Sequence, residues 1–448
     1  AGSDATLTHT NDTGLTLNST NKLMFNDASQ FIQGSSATVL SIGATNEIDL
    51  TATAIDINGT VAISGDTTLE DGADIITASA GTSNVRVGVN AGNSITSGGN
   101  YNTVVGDEAG TAITTGDSNV FVGYQSGDAT TISSSNIAIG ESSLGTNILS
   151  SKNVAVGSAA LFAHNLGSAG DGYNTAVGFY AGVAVTTGIS NTIMGGLAGD
   201  AITTGAKNTA VGASALGGNT TADNNTAFGF NTLNANTTGT SNVAIGAYAL
   251  DVNTTASNNT AVGYQSLSDN TTGARNSAFG DNSLANNTTA GNNNAFGYLS
   301  LYTNTTGTQN VAIGTEALTA NTTASYNTAV GYQSLFTNTT GAYNTAVGIK
   351  SLFFNVTGGD NVAVGDFALY SNTASNNTAV GSDTLIANTS GTNNTAIGSR
   401  ALEATTTGEE NTAVGKIAGY GITTGSSNTI IGNATAASLT TGAANVIV

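Results

Sequence analysis

Two histidines, His9 and His164, are the only imidazoles in the 448-residue chain, and they stand too far apart in sequence for a relay or a metal cluster to be read from spacing. There is no cysteine, so thiolate metal sites and disulfides are excluded together. No Ser-His-Asp set, phosphate-binding loop or zinc pattern occurs. Paired carboxylates could hydrolyse a glycosidic bond. The acidic residues that stand out, Asp107, Glu108, Glu141, Asp281 and Asp366, are however scattered over separate stretches. The glycine-aspartate nonapeptide that binds calcium in other repeat proteins is missing as well. The expectation is a protein that is not an enzyme and that carries no metal and no cofactor. Recognition remains. Tyr264, Tyr298 and Tyr332 recur at equal intervals and could stack on sugar rings. Phe162, His164 and Tyr173 cluster around a glycine-rich stretch and form a second group of surface-binding candidates.

What must position these groups is a repeat. An asparagine and a glycine separated by three residues return twenty-one times, from Asn84 and Gly88 to Asn428 and Gly432. The interval is 17 residues nearly throughout, with a long one of 21 between Gly157 and Gly178 and a short one of 16 before Gly381. Such a period predicts a solenoid in which each turn buries its apolar side against the next. The long interval must accommodate four extra residues between Leu161 and Asn174, where Phe162, His164 and Tyr173 lie.

Composition agrees. Proline is absent, as suits a chain that needs its amides for strand pairing. Lys and Arg together number 8 against 28 acidic residues, for a net charge of −20. That balance argues against nucleic acid and anionic membranes as partners. Neither a signal-peptide pattern nor an apolar run long enough to cross a bilayer is read in this sequence. The chain starts at Ala1 and stops at Val448, where the next recurrent glycine is due, so a segment truncated at its C-terminus is expected.

Read in columns, the turn Asn259–Arg275 is the type. The residue before the glycine is apolar in every copy, and the fourth after it is leucine in most central copies but glycine in early ones such as Gly110, Gly127 and Gly199. Two short strands per turn are expected, one at Thr260–Val262 and one at about Tyr264–Leu267, with the Asn270–Gly273 segment as the returning corner. Asn242, Asn259 and Asn310 read as rungs of an asparagine ladder. Gly246, Gly263 and Gly314 read as positions demanding positive φ or a close backbone contact. If valine faces the core, alternation turns Ala244, Ala261, Ala312 and Ala329 outward, which makes them candidates for a flat interface between copies of the chain.

The turns Asn242-Val243-Ala244-Ile245-Gly246 and Asn310-Val311-Ala312-Ile313-Gly314 resemble the YadA-like head repeats of trimeric autotransporter adhesins, which also occur in bacteriophage tail fibres. The resemblance covers about residues 84 to 448. It implies a left-handed parallel β-roll with three chains side by side, although the turns here are longer than is usual for that family. Residues 1–80 lack the repeat. Their alternating runs, Ile48–Leu50 and Ile55–Ile63, resemble the β-rich trimeric shaft of phage tail fibres.

The expected architecture is therefore all-β, with a shaft over 1–80 and a homotrimeric β-solenoid of about 21 turns over 81–448. The expected function is a structural and adhesive segment, extracellular, of a phage tail fibre used for host attachment, with a host cell-surface glycan or protein as receptor. A shaft that precedes the roll suits a phage fibre. A bacterial trimeric surface adhesin or extracellular filament is the first alternative, and a polysaccharide-degrading tailspike the second. Ice binding ranks last, because no Thr-x-Thr strand face recurs.

Overall fold

The computed structural model describes residues 7–10, 14–17, 23–25, 27–36, 39–43 and 80–448. The chain divides into two units, Ala1–Asp74 and Ile75–Val448. In the first, β1 (Leu7–Thr10) pairs antiparallel with β2 (Gly14–Leu17), and β3 (Leu23–Phe25), β4 (Asp27–Ser36) and β5 (Val39–Gly43) form an antiparallel sheet in that order. The alternating runs at 48–50 and 55–63 lie outside the described residues.

The second unit is a parallel β-solenoid. Each turn contributes one three-residue strand, such as Thr260–Val262, which pairs in register with Val243–Ile245 before it and Ser277–Phe279 after it. The ladder runs in one line from Val85–Val87 to Val446–Ile447, and its two end strands are not paired with each other. Among the described residues there is no helix. A parallel ladder leaves every strand amide and carbonyl to the neighbouring turns, so a single turn cannot satisfy its own backbone.

The second strand expected at Tyr264–Leu267 does not form. Gln265 and Leu267 sit at φ 50° and 54°, so every second residue is left-handed and extended backbone is impossible there. The segment coils instead, and still bonds to its neighbours: Gln265 N–H donates to the Ala247 carbonyl at 3.1 Å and Leu267 N–H to that of Ser283 at 3.0 Å. A leucine in this conformation costs about 1–2 kcal/mol. Complete burial of Leu267, worth about 1.5–3 kcal/mol, offsets it.

The lumen corrects the face assignment. Ala244, Ala261, Ala312 and Ala329 are not exposed at all; they point into the core, and the residues on either side of each alanine face out. The leucine column faces the alanines from the opposite side of the turn, and in that narrow space only a methyl fits on the strand. Where the strand carries something larger, the leucine is gone. A Cβ on Gly127 would lie 2.6 Å from the Phe121 ring, and one on Gly182 would lie 2.8 Å from Ile193.

A second exchange accompanies the first. Turns with leucine four residues after the recurrent glycine mostly carry asparagine three residues further on, as in Leu284 and Asn287. Five of the six turns with glycine there carry a branched aliphatic residue instead, Gly92 with Ile95, Gly110 with Ile113, Gly182 with Val185, Gly199 with Ile202 and Gly419 with Ile422; the sixth, Gly127 with Thr130, has the Phe121 ring against the glycine. The Ile113 methyl ends 2.7 Å from where a Gly110 Cβ would stand. Two turn types thus fill one lumen of nearly constant volume.

Candidate functional site

The recurrent asparagines are buried and structural, in a way that differs from a simple amide stack. Asn259 Oδ1 accepts the backbone N–H of Asn276 at 2.9 Å, and its Nδ2 donates to the Gly273 carbonyl at 2.9 Å in the same turn. Asn242 and Asn310 do the same with their neighbours, adding weaker amide-to-amide bonds at 3.2 and 3.3 Å. The strand-leading N–H has no backbone acceptor in the ladder, so the preceding turn's side chain supplies one.

The row in which amide bonds to amide lies at the corner. Asn287 Nδ2 donates to Asn270 Oδ1, and Asn304 Nδ2 to Asn287 Oδ1, both at 2.9 Å, in a file that runs from Asn219 to Asn388. It stops where Thr405 replaces the next asparagine, and Asn388 Oδ1 is left buried without a donor. Sequence reading placed this segment at a tight corner and missed the ladder, although eleven consecutive turns repeat the asparagine.

Both properties expected of the recurrent glycines hold together. Gly314 lies at φ 132°, and a Cβ on it would come within 2.6 Å of the Gly331 carbonyl oxygen. Gly246 and Gly263 lie at φ 123° and 135° against the glycine of the following turn.

Tyr264, Tyr298 and Tyr332 are about half exposed at the corner following the strand. They do not form a platform, since rungs bearing Asp281 and Thr315 separate them. Tyr264 instead meets Tyr248 edge to face at 6.2 Å. A closer aromatic group, not foreseen from the sequence, stacks Phe336 on Phe353 at 5.2 Å and Phe353 on Tyr370 at 5.3 Å. In that stack ring faces are covered by other rings, so it offers edges rather than faces to solvent.

The long interval folds as an added loop pinned to the ladder. Ser150–Ser151 pairs with Gly170–Asp171. On the outside, Lys152 Nζ donates to Asp171 at 2.8 Å and to the Tyr173 hydroxyl at 3.2 Å, and Tyr173 donates to Asp171 at 2.9 Å. Tyr173 is thereby engaged within its own loop. His164 is not on the surface at all. It is fully buried in the corner row between Asn147 and Val185, with Nε2 2.9 Å from Ser150 Oγ and Nδ1 without a hydrogen-bond partner. Burial pushes its pKa down to about 4, partly opposed by the Thr186 backbone. A serine sealed from solvent beside it has no route to a substrate.

Phe162 opens onto a hollow in the surface. It is 40% exposed and borders a cavity of about 340 Å³ whose other walls include Glu141, Ser142, Ser158 and Tyr180. Elsewhere the carboxylates are spread along the ladder: Glu108 accepts from Gln125 at 2.7 Å and lies near Asp128, Asp251 lies near Asp269, Asp281 accepts from Asn282 at 2.6 Å, and Asp366 from the Ile349 amide at 3.1 Å. Among the described residues no group of three His, Cys, Asp or Glu could hold a metal ion, and no helix is long and apolar enough to cross a membrane.

Comparison of the chain with protein-family models, with curated proteins and with solved structures gives no match.

Proposed function

We propose that this chain is a segment of a homotrimeric structural and adhesive fibre, extracellular, of the kind a phage tail fibre uses to attach to its host. The observation that carries the reading is the outer face of the strand ladder. The residue before each recurrent glycine is apolar in all twenty-one turns, yet it faces out: Phe228 is 55% exposed, Met194 42%, Ile313 42% and Ile431 44%. At on the order of 50 Å² each, these side chains offer roughly 1,000 Å² per chain, above the ~300–600 Å² of a monomer's usual largest patch.

The occupant that fits is a second copy of the chain. The stripe repeats with the strand spacing of about 4.8 Å over roughly 100 Å of ladder, a pitch and length that another copy matches. Charge agrees. Although the chain carries −20, neither outward strand position holds a charged residue in any turn from Val85 to Ile431, so copies can meet there without opposing carboxylates. Threefold closure rests on the resemblance of the repeats, and the antiparallel β-strands that precede the solenoid in the chain are in keeping with a fibre.

Sedimentation equilibrium tests the assembly. The chain should run at three times 44.0 kDa, and the triple substitution Ile245→Asp, Val262→Asp and Phe279→Asp should give folded monomer. A wild-type chain that stays monomeric at tens of micromolar refutes it.

A further inference from the structure

We propose that the hollow beside Phe162 binds one uncharged pyranose unit of a surface glycan; the proposal rests on the adhesive reading above and gives it a site. The site is formed by three successive turns, those of Gly140, Gly157 and Gly178. In the turn of Gly140 the fifth residue after the recurrent glycine is Gly145, and the Phe162 ring of the next turn lies across it, so close that a Cβ on Gly145 would come 2.9 Å from the ring. Ala159 of the same next turn and Tyr180 of the third turn also line the hollow, with the Tyr180 ring braced by Phe179 at 4.3 Å. Small residues and two aromatic side chains thus line the hollow together.

The volume, about 340 Å³, is at the lower end for small-ligand sites and suits a single sugar ring. The chemistry of the lining suits one as well. Aromatic walls take the apolar C–H face of a pyranose, while the Glu141 carboxylate and the Ser142 and Ser158 hydroxyls present acceptors and donors for ring hydroxyls. A carboxylate at the rim of a chain of charge −20 disfavours uronic and sialic acids. The walls are preorganised, because their backbone belongs to the ladder: Ser142 N–H donates to the Tyr124 carbonyl at 2.9 Å and Tyr180 N–H to that of Ser158 at 3.0 Å. The hollow lies on residues that follow the glycine corner, not on the outward strand positions, so assembly through the strand face does not use them.

The test is titration of the full chain with a panel of neutral hexose, N-acetylhexosamine and uronic-acid oligosaccharides, read by calorimetry and saturation-transfer NMR. Neutral sugars should bind. Phe162→Ala and Tyr180→Ala should each weaken binding tenfold or more, Glu141→Gln several-fold, and Ala159→Leu should block the hollow, while Tyr298→Ala changes nothing. Unchanged circular dichroism in each variant separates loss of the site from loss of fold. Absence of binding, binding of uronic acids alone, or neutral-sugar binding insensitive to all four variants would each overturn the proposal. Sedimentation of the same samples is an independent readout, so a trimer without sugar binding removes this site and leaves the fibre reading standing, and a monomer that binds sugar does the reverse.

Discussion

Leu216 and Asn219 belong to a leucine-asparagine turn that directly follows a glycine-isoleucine turn, that of Gly199 and Ile202, which makes them the place to convert one type into the other. Leu216→Gly alone empties a fully buried site. Leucine truncation costs about 2–5 kcal/mol, and relief of the left-handed strain at φ 54° returns about 1, leaving a loss of roughly 3 kcal/mol. Asn219→Ile alone drives a methyl into the space of the Leu216 side chain, at about 1–3 kcal/mol for overpacking. It also removes the bonds from Asn219 Nδ2 to the Ala222 carbonyl at 3.2 Å and from Asn236 Nδ2 to Asn219 Oδ1 at 3.0 Å. Neither partner is orphaned, because Asn208 still donates to Ala222 at 2.8 Å and Asn236 to Gly239 at 2.9 Å. The double variant refills the lumen as Ile202 does above Gly199, where a Cβ would stand 2.8 Å from the isoleucine methyl. The two single losses should therefore exceed the double loss by at least about 2 kcal/mol, well outside the ~0.5 kcal/mol within which independent sites add. Denaturant unfolding at one protein concentration, with hydrogen exchange of peptides spanning 209–239, measures the cycle. Additive losses, or a double variant worse than either single, would refute the idea that the turns trade volume.

Three further outcomes follow from the same geometry. Gly314→Ala places a methyl 2.6 Å from a backbone oxygen at φ 132° and should destabilise by more than about 3 kcal/mol, seen as a loss of folded yield or a large drop in the unfolding midpoint. His164 is protonated at pH below about 6.5 when unfolded and below about 4 when folded. Between those values only the unfolded chain gains the proton, so stability should fall by about 3 kcal/mol as pH drops through the window and level off below it; His164→Asn, tested by unfolding at pH 7 and pH 4, should lose that part of the slope. Asn304→Asp keeps the shape of a ladder rung but replaces a donor to Asn287 Oδ1 and to the Gly307 carbonyl with a buried anion. Burial should raise that carboxyl's pKa, so the variant should be severely destabilised at pH 7 and partly rescued near pH 4, a sign opposite to that of His164.

Much of this architecture was legible because a period constrains more than any single residue does. The recurrence of Asn and Gly required stacking, and Thr260–Val262 and its equivalents form the parallel ladder at the expected positions. Alternation along three residues, however, permits either face to be the inner one. Assigning the bulky valine inward follows ordinary strand preference, and it fails here because the leucines already occupy the lumen. A cue was present: Phe121 and Ile193 replace alanine in turns whose leucine has become Gly127 and Gly199, a compensation that makes sense only if both columns share one space. The second strand was unreadable for another reason. Nothing in Tyr264-Gln265-Ser266-Leu267 marks left-handed backbone, since leucine rarely adopts it, and here burial and ladder bonds impose it. For His164 the sequence leaves open where in the long interval the four added residues sit; they fall after it, at the loop that ends at Gly170–Asp171, and His164 keeps the place of a corner asparagine.

The inversion changes what the apolar column before each glycine is for. A lone chain closes its core with alanine, leucine and the two asparagine rows, and the twenty-one outward residues lie outside that core. A solvated strand position with no core role tolerates threonine, lysine or glutamate, and edges exposed to water favour such residues because they discourage unwanted association. Yet no polar residue takes this column in any turn, while the position two residues earlier on the same face moves freely among Thr, Val, Ser, Asn and Ile. Core burial in one solenoid does not impose that restriction, although neighbours in the column do touch, as where Phe279 stacks on Phe296 at 4.7 Å. Association of copies along the same face, as proposed above, would impose it, and it predicts that the column is buried in the assembly while the glycine corner, with the hollow beside Phe162, stays open.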